Sequence, residues 1–374
     1  ITWMLPGQTN PSASIDYGVD AVVHFIQSLL DRDWRRLPCG LQLITTNAIA
    51  TDTSSDVNPQ QSQFWGLGRV IGAEQPELRC RILDLCPDEL DDDNTIKLAS
   101  EIVQTETMEN QHAIRGGQLF TPRMSQARLG RPTPFAANEN GSYLITGGLG
   151  MLGREMAMWL AQHGARQVVL VSRSQPDEAA REFIESIEQT GCRPVIHAAD
   201  ISSRGDVEQL FSRFGHDLNP LVGVVHAAGV LDDGLIESQT TDRFEKVLKP
   251  KVAAARLLDE FTRDWPLDFF VLYSSAASVL GSPGQSTYAT GNAFLDGLAW
   301  QRRHHDQPAT VINWGPWAAG MADDKRILKR LALQGITPLS VKEAHAALEK
   351  ILGSDTIQAT VMDVDWRRMR IGPT

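Results

Sequence analysis

The sequence predicts an α/β protein with a doubly wound parallel sheet, and three observations carry that prediction. A glycine run, Thr146-Gly-Gly-Leu-Gly-Met-Leu-Gly153, separates an apolar strand from a helical stretch. Short apolar runs of buried-strand type alternate with helical segments after it. Downstream, Lys251, Ser275, Tyr288 and Asn292 form a set of chemically capable side chains. Ligands bind at the carboxyl ends of the strands in such sheets, and Asp200, His226–Gly229 and Ser275 all fall at predicted strand ends.

The elements follow in order. Asp16–Asp33 places Val19, Val22, Val23, Phe25, Ile26, Leu29 and Leu30 on an amphipathic helical pattern, and Leu41–Thr45 reads as a strand. The Asp88–Asp93 acidic cluster reads as a solvated loop or helix start, and residues 130–141 have the Pro, Gly and Asn content of a linker. Gly141–Thr146 is a strand and Glu155–Ala161 a helix, with Met156, Trp159 and Leu160 at helical spacing. Strands are predicted at Gln167–Val171, Arg193–Asp200, Leu221–Gly229, Asp268–Ser275 and Thr310–Asn313, with a helix around Glu178–Gln189. Ser340 and Glu343 form a capping box, and Val361–Trp366 is a closing strand.

Composition excludes some classes. The chain has 374 residues, 42% of them hydrophobic and 22% charged, as in an ordinary globular protein. A net charge of −11 leaves no basic footprint for nucleic acid. No apolar run approaches the ~18–20 residues of a membrane span, and no basic leader opens the chain. Cys39, Cys80, Cys86 and Cys192 lack metal or redox spacing and read as reduced thiols, which points to a cytoplasmic protein with no metal site. The absence of an initiator Met suggests a piece excised from a longer polypeptide, or processing.

In the glycine run, Gly147 permits a tight turn, Gly150 lets a diphosphate approach the backbone, and Gly153 lets helix and sheet pack closely. A helix N-terminus then offers free N–H groups to the phosphates. The alternative is a glycine-rich turn in an unrelated α/β protein. The second strand ends in Ser172-Arg173, with no acid before Asp177. An acid there would accept from a ribose 2′-hydroxyl, whereas Arg accommodates a 2′-phosphate, so NADPH is favoured over NADH unless Arg173 is an ordinary solvated charge. The cofactor set is Thr146, Gly147, Gly148, Leu149, Gly150, Leu152, Gly153, Ser172, Arg173, Asp200, Ile201, Ala227, Ala228 and Gly229.

Tyr288 follows Ser275 by 13 residues, and Asn292 lies one helical turn beyond on the same face. This arrangement resembles the short-chain dehydrogenase/reductase superfamily, and more narrowly the ketoreductase domain of modular polyketide synthases. Most of the superfamily has Lys where Asn292 stands; the ketoreductases supply it from an earlier helix, in a segment like Leu248-Lys-Pro-Lys-Val252. Lys251 is the matching position and Lys249 the weaker candidate. Phe64–Glu77 and Cys80–Leu85 resemble the structural subdomain of the same proteins. The resemblance implies two Rossmann-like subdomains: a truncated structural half, residues 1–135, bracing a catalytic half, residues 136–374.

It further implies reduction of a β-ketoacyl thioester carried by phosphopantetheine on an acyl carrier protein, beside other polyketide synthase domains. Ser275 and Tyr288 would hydrogen-bond the carbonyl oxygen, with Tyr288 as general acid. Lys251 would lower the Tyr288 pKa and bind the cofactor ribose; Asn292 would hold a relay water or orient Lys251. Leu231-Asp232-Asp233 matches the B-type marker for a D-configured hydroxyl, Leu280 replaces the A-type Trp, and Thr290 in place of Pro matches the B1 subgroup. The bland reading of Asp232-Asp233 is a solvated loop. Gln285, Trp317 and Met321 complete the stereocontrol set, the last two in a lid beginning at Asn313–Ala318 and including Gly320; Trp314 and Trp317 read alternatively as core aromatics. Rival readings are a free-standing carbonyl reductase and a catalytically silent docking domain.

Overall fold

The computed structural model describes residues 2–4, 18–32, 37, 39–105, 109–127, 129, 133–319 and 325–369. Two main sheets organise them. The first contains β1 (Thr2–Met4), β2 (Gln42–Thr46), β3 (Arg81–Leu85), β4 (Gln111–Arg115) and β5 (Gln118–Phe120), in that spatial order. Its first four strands are parallel, and β5 returns antiparallel from β4 through Gly116 and Gly117.

The second sheet contains β6 (Ser142–Thr146), β7 (Gln167–Ser172), β8 (Arg193–Ala198), β9 (Leu221–His226), β10 (Phe269–Ser275) and β11 (Thr310–Trp314). After the short β12 (Ile336–Thr337), β13 (Gln358–Val361) completes it, and β14 (Asp363–Val364) pairs antiparallel with β12. The order β13-β11-β10-β9-β6-β7-β8 is parallel throughout and reverses direction between β6 and β9. That crevice is the switch point at which doubly wound sheets bind ligands. The α/β class and the parallel sheet agree with the sequence reading.

Three strand assignments need correction, the first being Leu221–Gly229, whose strand ends at His226. The predicted strand Val361–Trp366 is two elements, because Val361 ends its register opposite Trp314 and the chain leaves the sheet at Met362. Asp200 lies beyond β8 rather than ending it, its backbone N–H bonded to the Asp206 carboxylate. The capping box of Ser340 and Glu343 is present, and Asp92 of the acidic cluster caps a helix.

The helices are α1 (Val19–Asp31), α2 (Pro59–Glu74), α3 (Asp93–Gln104), α4 (Met151–Gln162), α5 (Glu178–Glu188), α6 (Arg204–Phe211), α7 (Thr241–Leu248), α8 (Ala254–Thr262), α9 (Ala276–Leu280), α10 (Ser286–His304), α11 (Lys325–Leu333) and α12 (Val341–Leu352). One apolar core runs through both sheets: Phe64, Trp65 and Ile71 of α2 share it with Phe294, Leu295 and Leu298 of α10. A second core lies on the other face of the second sheet, between α4 and α12.

The α2–α10 contact is close because it is made of glycines. A Cβ on Gly66 would sit 2.3 Å from the Ala289 carbonyl oxygen, and one on Gly297 would sit 2.2 Å from Ser62 Oγ. Glycine in a helix costs roughly 0.5–1 kcal/mol relative to Ala, and here the gain is backbone-to-backbone approach. Gly66→Ala is therefore expected to destabilise the fold by about 1–3 kcal/mol through overpacking. Gly72→Ala in the same helix, where an added Cβ meets no atom closer than 4.0 Å, should stabilise it by roughly 0.5–1 kcal/mol. Urea unfolding of the two variants checks this; equal effects would refute the close-approach account.

Candidate active site

The strand–turn–helix at the switch point has the geometry its glycines suggest. Gly147 adopts φ +66°, and a Cβ there would lie 2.9 Å from the Ala228 backbone. A Cβ on Gly153 would lie 2.3 Å from the Gly147 carbonyl oxygen, so the helix can close onto the turn only without one. Gly148 lies against the backbone of Leu170, while Leu149 and Leu152 are half-buried against the second core. Gly150 caps α4 without a side-chain acceptor, which leaves first-turn N–H groups for an anion.

Beyond β7 and β8 lies a cavity of about 320 Å³ whose walls include Arg173, Asp200, Ser202, Lys246 and Lys249. Arg173 is exposed and Ile201 buried; the Ser172 hydroxyl accepts the Ser174 N–H. Burial works against the charged form of Asp200, yet hydrogen bonds from Ser202 and the charges of Lys249 and Arg173 prevail and hold its pKa low. Lys249, 3.9 Å from Asp200, thus belongs to this cavity.

Lys251 lies elsewhere. Pro250 cannot donate the N–H that an α-helix needs, and Lys249–Ala253 forms a π-helical turn between α7 and α8. That turn points Lys251 inward, 3% exposed, its Nζ donating to the Tyr273 carbonyl at 3.1 Å and lying 5.4 Å from the centre of the Tyr288 ring. Burial pushes its pKa down to about 8, against the attraction of Asp296. A Cβ on Gly229 would sit 3.0 Å from Lys251 Cε.

Ser275 ends β10 and caps α9, its Oγ accepting the Ala277 N–H at 3.2 Å, so its O–H remains able to donate. Burial raises the Tyr288 pKa, and the neighbouring Ser275 hydroxyl and Asn292 amide act in the other direction. Asn292 donates to the Tyr288 carbonyl at 2.8 Å, while its buried Oδ1 has no partner. The structure therefore brings Lys251, Ser275, Tyr288 and Asn292 together around one point.

Two supporting groups are seen only in the folded chain, although Thr146 and His226 are each named in the sequence reading. Thr146 and His226 are register partners on β6 and β9, and Thr146 Oγ1 lies 2.7 Å from His226 Nδ1. His226 Nε2 lies 3.2 Å from the Lys251 carbonyl. A carbonyl only accepts, so Nε2 carries the proton and Nδ1 accepts from the Thr146 hydroxyl. Burial, reinforced by the charge of Lys251, pushes the His226 pKa down to about 3, so this link is neutral. The Thr146 hydroxyl oxygen also accepts the Ala228 N–H at 3.3 Å.

The second group is centred on Asp296, two turns along α10 from Tyr288. Its carboxylate accepts from Asn313 Nδ2 and Ser278 Oγ, both at 2.7 Å, and Asn313 Nδ2 also reaches Ser274 Oγ at 3.0 Å. Burial raises the Asp296 pKa to about 6 despite these bonds and the charge of Arg69. Arg69, from α2, donates to the Ser278 carbonyl at 2.5 Å. The short spacing of Ser275, Tyr288 and Asn292 made them legible, whereas this group is assembled from four distant segments.

Among the stereocontrol candidates, Leu231 is 59% exposed. Asp232 is held by Arg243 at 2.6 Å and Lys246 at 2.9 Å, and Asp233 accepts from Gln285 Nε2 at 3.2 Å. The pair is thus part of a built loop. Trp317 is 5% exposed, its ring 5.0 Å from that of Trp314 in the second core, which is the core-aromatic alternative. Met321 and Gly320 lie outside the described residues. Among the described residues no His/Cys/Asp/Glu cluster could hold a metal, and no helix is long and apolar enough to cross a membrane.

Fold and site together define the short-chain dehydrogenase/reductase class of Rossmann proteins, which work with a pyridine nucleotide. Residues 141–319 match the family described as KR domain, and residues 2–124 match the Rossmann fold domain of the polyketide synthase extender module SpnB. Polyketide synthase GfsA of Streptomyces halstedii is 36% identical over 95% of the chain, and pikromycin synthase component PikAIII of Streptomyces venezuelae 36% over 92%. The chain spans 5% and 22% of their respective lengths. An A1-type ketoreductase structure superposes with a TM-score of 0.88 at 33% identity, covering 96% of this chain and 76% of that one. A C2-type ketoreductase gives 0.86 at 28% identity, covering 96% and 78%. The chain belongs to the ketoreductase-domain family of modular type I polyketide synthases.

The depressed Lys251 pKa has a sign that can be tested without cofactor. Between about 8 and the ordinary lysine value of 10.5 the unfolded chain holds a proton that the folded chain has lost, so this group's contribution makes stability rise with pH across that window. Below it, both states are charged and the fold bears the cost of burial. Lys251→Met is expected to match or exceed wild-type stability at pH 7 and to lack this component of the rise above pH 8, as read from urea denaturation at four pH values. Parallel curves for the two proteins would contradict the assignment.

Proposed function

We propose that this domain reduces a β-ketoacyl thioester, tethered by phosphopantetheine to an acyl carrier protein, to a D-configured β-hydroxyacyl thioester with NADPH. The observation that carries the reading is the buried Lys251 ammonium beside the Tyr288 ring, with Ser275 next to the phenol. The glycine turn and the uncapped start of α4 suit the diphosphate, and Arg173 with Lys249 suits a 2′-phosphate beside the adenine end. When bound, the nucleotide supplies hydride to the β-carbon.

The chain's own residues do the rest. Ser275, whose oxygen accepts the Ala277 N–H with one of its two lone pairs, turns its O–H to the substrate oxygen. Tyr288 donates a second hydrogen bond and delivers the proton as negative charge grows on that oxygen. The phenolate left behind is stabilised by Lys251, and the unpartnered Asn292 Oδ1 is available to orient the ammonium or a relay water. His226, neutral, anchors the Lys251 backbone without adding charge.

The D configuration is supported by Leu231-Asp232-Asp233, by Leu280 and by Thr290, which favours the B1 subgroup. We also read residues 1–135 as a structural subdomain serving a catalytic one at 136–374, within a cytoplasmic assembly that supplies the carrier protein.

Tyr288→Phe should cut turnover by roughly 10²–10⁴-fold while leaving NADPH affinity within about twofold. NADPH consumption with a β-ketoacyl thioester, and fluorescence titration of the nucleotide, provide the two readouts. Near-normal turnover would sink the mechanism, and an L product by chiral chromatography would sink the B-type reading. Arg173→Ala should weaken NADPH binding about tenfold, the worth of one charge-assisted contact, and leave NADH binding unchanged. Equal loss for both nucleotides would place Arg173 away from the 2′-phosphate.

A further inference from the structure

Glu74 is the last residue of α2 and so belongs to the first sheet's half of the molecule, yet both of its carboxylate oxygens are used in the second half. Oε2 accepts the Ile236 N–H and Oε1 the Gly284 N–H, each at 2.7 Å. These amides lie in the two loops that flank Tyr288. Ile236 follows Leu231-Asp232-Asp233-Gly234, and Gly284 precedes Gln285 and Tyr288.

The loops are also joined to each other, by the Gly234 N–H to the Gly284 carbonyl at 2.7 Å and by Gln285 to Asp233. Neighbouring bonds reinforce the first loop from the same side: Gln75 reaches Glu237 at 3.1 Å, and Gln27 reaches the Ile236 carbonyl at 2.9 Å. Burial raises the Glu74 pKa, with the two amides opposing it and Glu237 adding to it.

We infer that Glu74 is a specificity-determining strut: it fixes the separation of the Leu231–Gly234 and Gly284–Gln285 loops, and thereby the face of the keto group presented to Tyr288. This rests on the ketoreductase reading given above. The chemistry explains why a carboxylate is required. It offers an acceptor to each of two N–H donors, whereas a glutamine amide offers one acceptor and sets an NH₂ against the other donor. Glu74 itself touches no reacting atom and acts through the two loops.

The test is Glu74→Gln, with Glu74→Asp as a second variant that keeps the charge but is one methylene too short to span both amides. Hydrogen–deuterium exchange over residues 231–238 and 281–287 should be about tenfold faster in both variants, with melting temperature and NADPH affinity little changed. With a β-ketoacyl thioester, KM should rise several-fold and the minor stereoisomer about tenfold, while kcat for a small untethered ketone stays within twofold. Unchanged exchange and stereochemistry would overturn the proposal. So would parallel losses of melting temperature, NADPH binding and both activities, which mark a merely structural residue. If the wild type reduces no thioester, the function reading fails by itself; the exchange comparison still decides whether Glu74 holds the loops.

Discussion

The close packing of α2 on α10 is the constraint on which the rest of the site depends. Tyr288, Asn292 and Asp296 all stand on α10, so the position of that one helix sets phenol, amide and buried carboxylate together. Gly66 and Gly297 let the two backbones approach to a distance no larger residue permits. At the far end of α10, Arg302 is 1% exposed, paired with Asp259 at 2.8 Å and stacked over Phe270. The helix is held at both ends and along its length, which suits the proposed role of its side chains, since that role needs them to stay in rotamer. Arg69 extends the same contact to the Ser278 carbonyl, beside the turn that Ser275 caps. The first sheet's half therefore does more than cover apolar surface.

Around that helix the electrostatics are arranged at a cost. Lys251 is buried where its charge is disfavoured, and the nearest compensation is Asp296, itself pushed up to about 6 by burial. Neither group gains full ion-pair stabilisation: Lys251 Nζ bonds a backbone carbonyl, and Asp296 is satisfied by Asn313 and Ser278. In the proposed mechanism an ammonium in this state would respond to negative charge appearing on Tyr288. The neutral His226 link serves the same end, since an imidazolium there would repel Lys251.

The legible and illegible parts of this molecule divide by sequence distance. The glycine run could be read because a turn, a close approach and a helix start fall within eight residues. Ser275, Tyr288 and Asn292 are legible through their fixed spacing, and the role of Asn292 through the family resemblance. Lys251 needed the family resemblance, because its inward direction comes from a π-helical turn around Pro250 that no periodicity announces. The Asp296 group draws on α2, α9, α10 and β11, and Glu74 bonds amides 162 and 210 residues away, so only the folded chain places them. The closing strand was misplaced because Val361-Met-Asp-Val-Asp-Trp366 alternates as one strand would, while the break at Met362 depends on β11 ending opposite Val361.

What distinguishes the ketoreductase types must lie in few residues on this scaffold. Ketoreductases described as A1-type and C2-type superpose on the chain with TM-scores of 0.88 and 0.86, so sheets, helices and their packing do not distinguish the types. What can differ are the segments that flank α10 without belonging to it. Here those are the Leu231–Gly234 loop, pinned through Asp232 to Arg243 and Lys246, and the Gly281–Gln285 turn, which Asp233 joins through Gln285. Both are tied by backbone amides to the end of α2, the helix that fixes α10. The frame that positions Tyr288 is thus also the frame from which the loops are hung. A change of loop residue can then move a loop without displacing Tyr288, which is what the proposed division between chemistry and specificity requires.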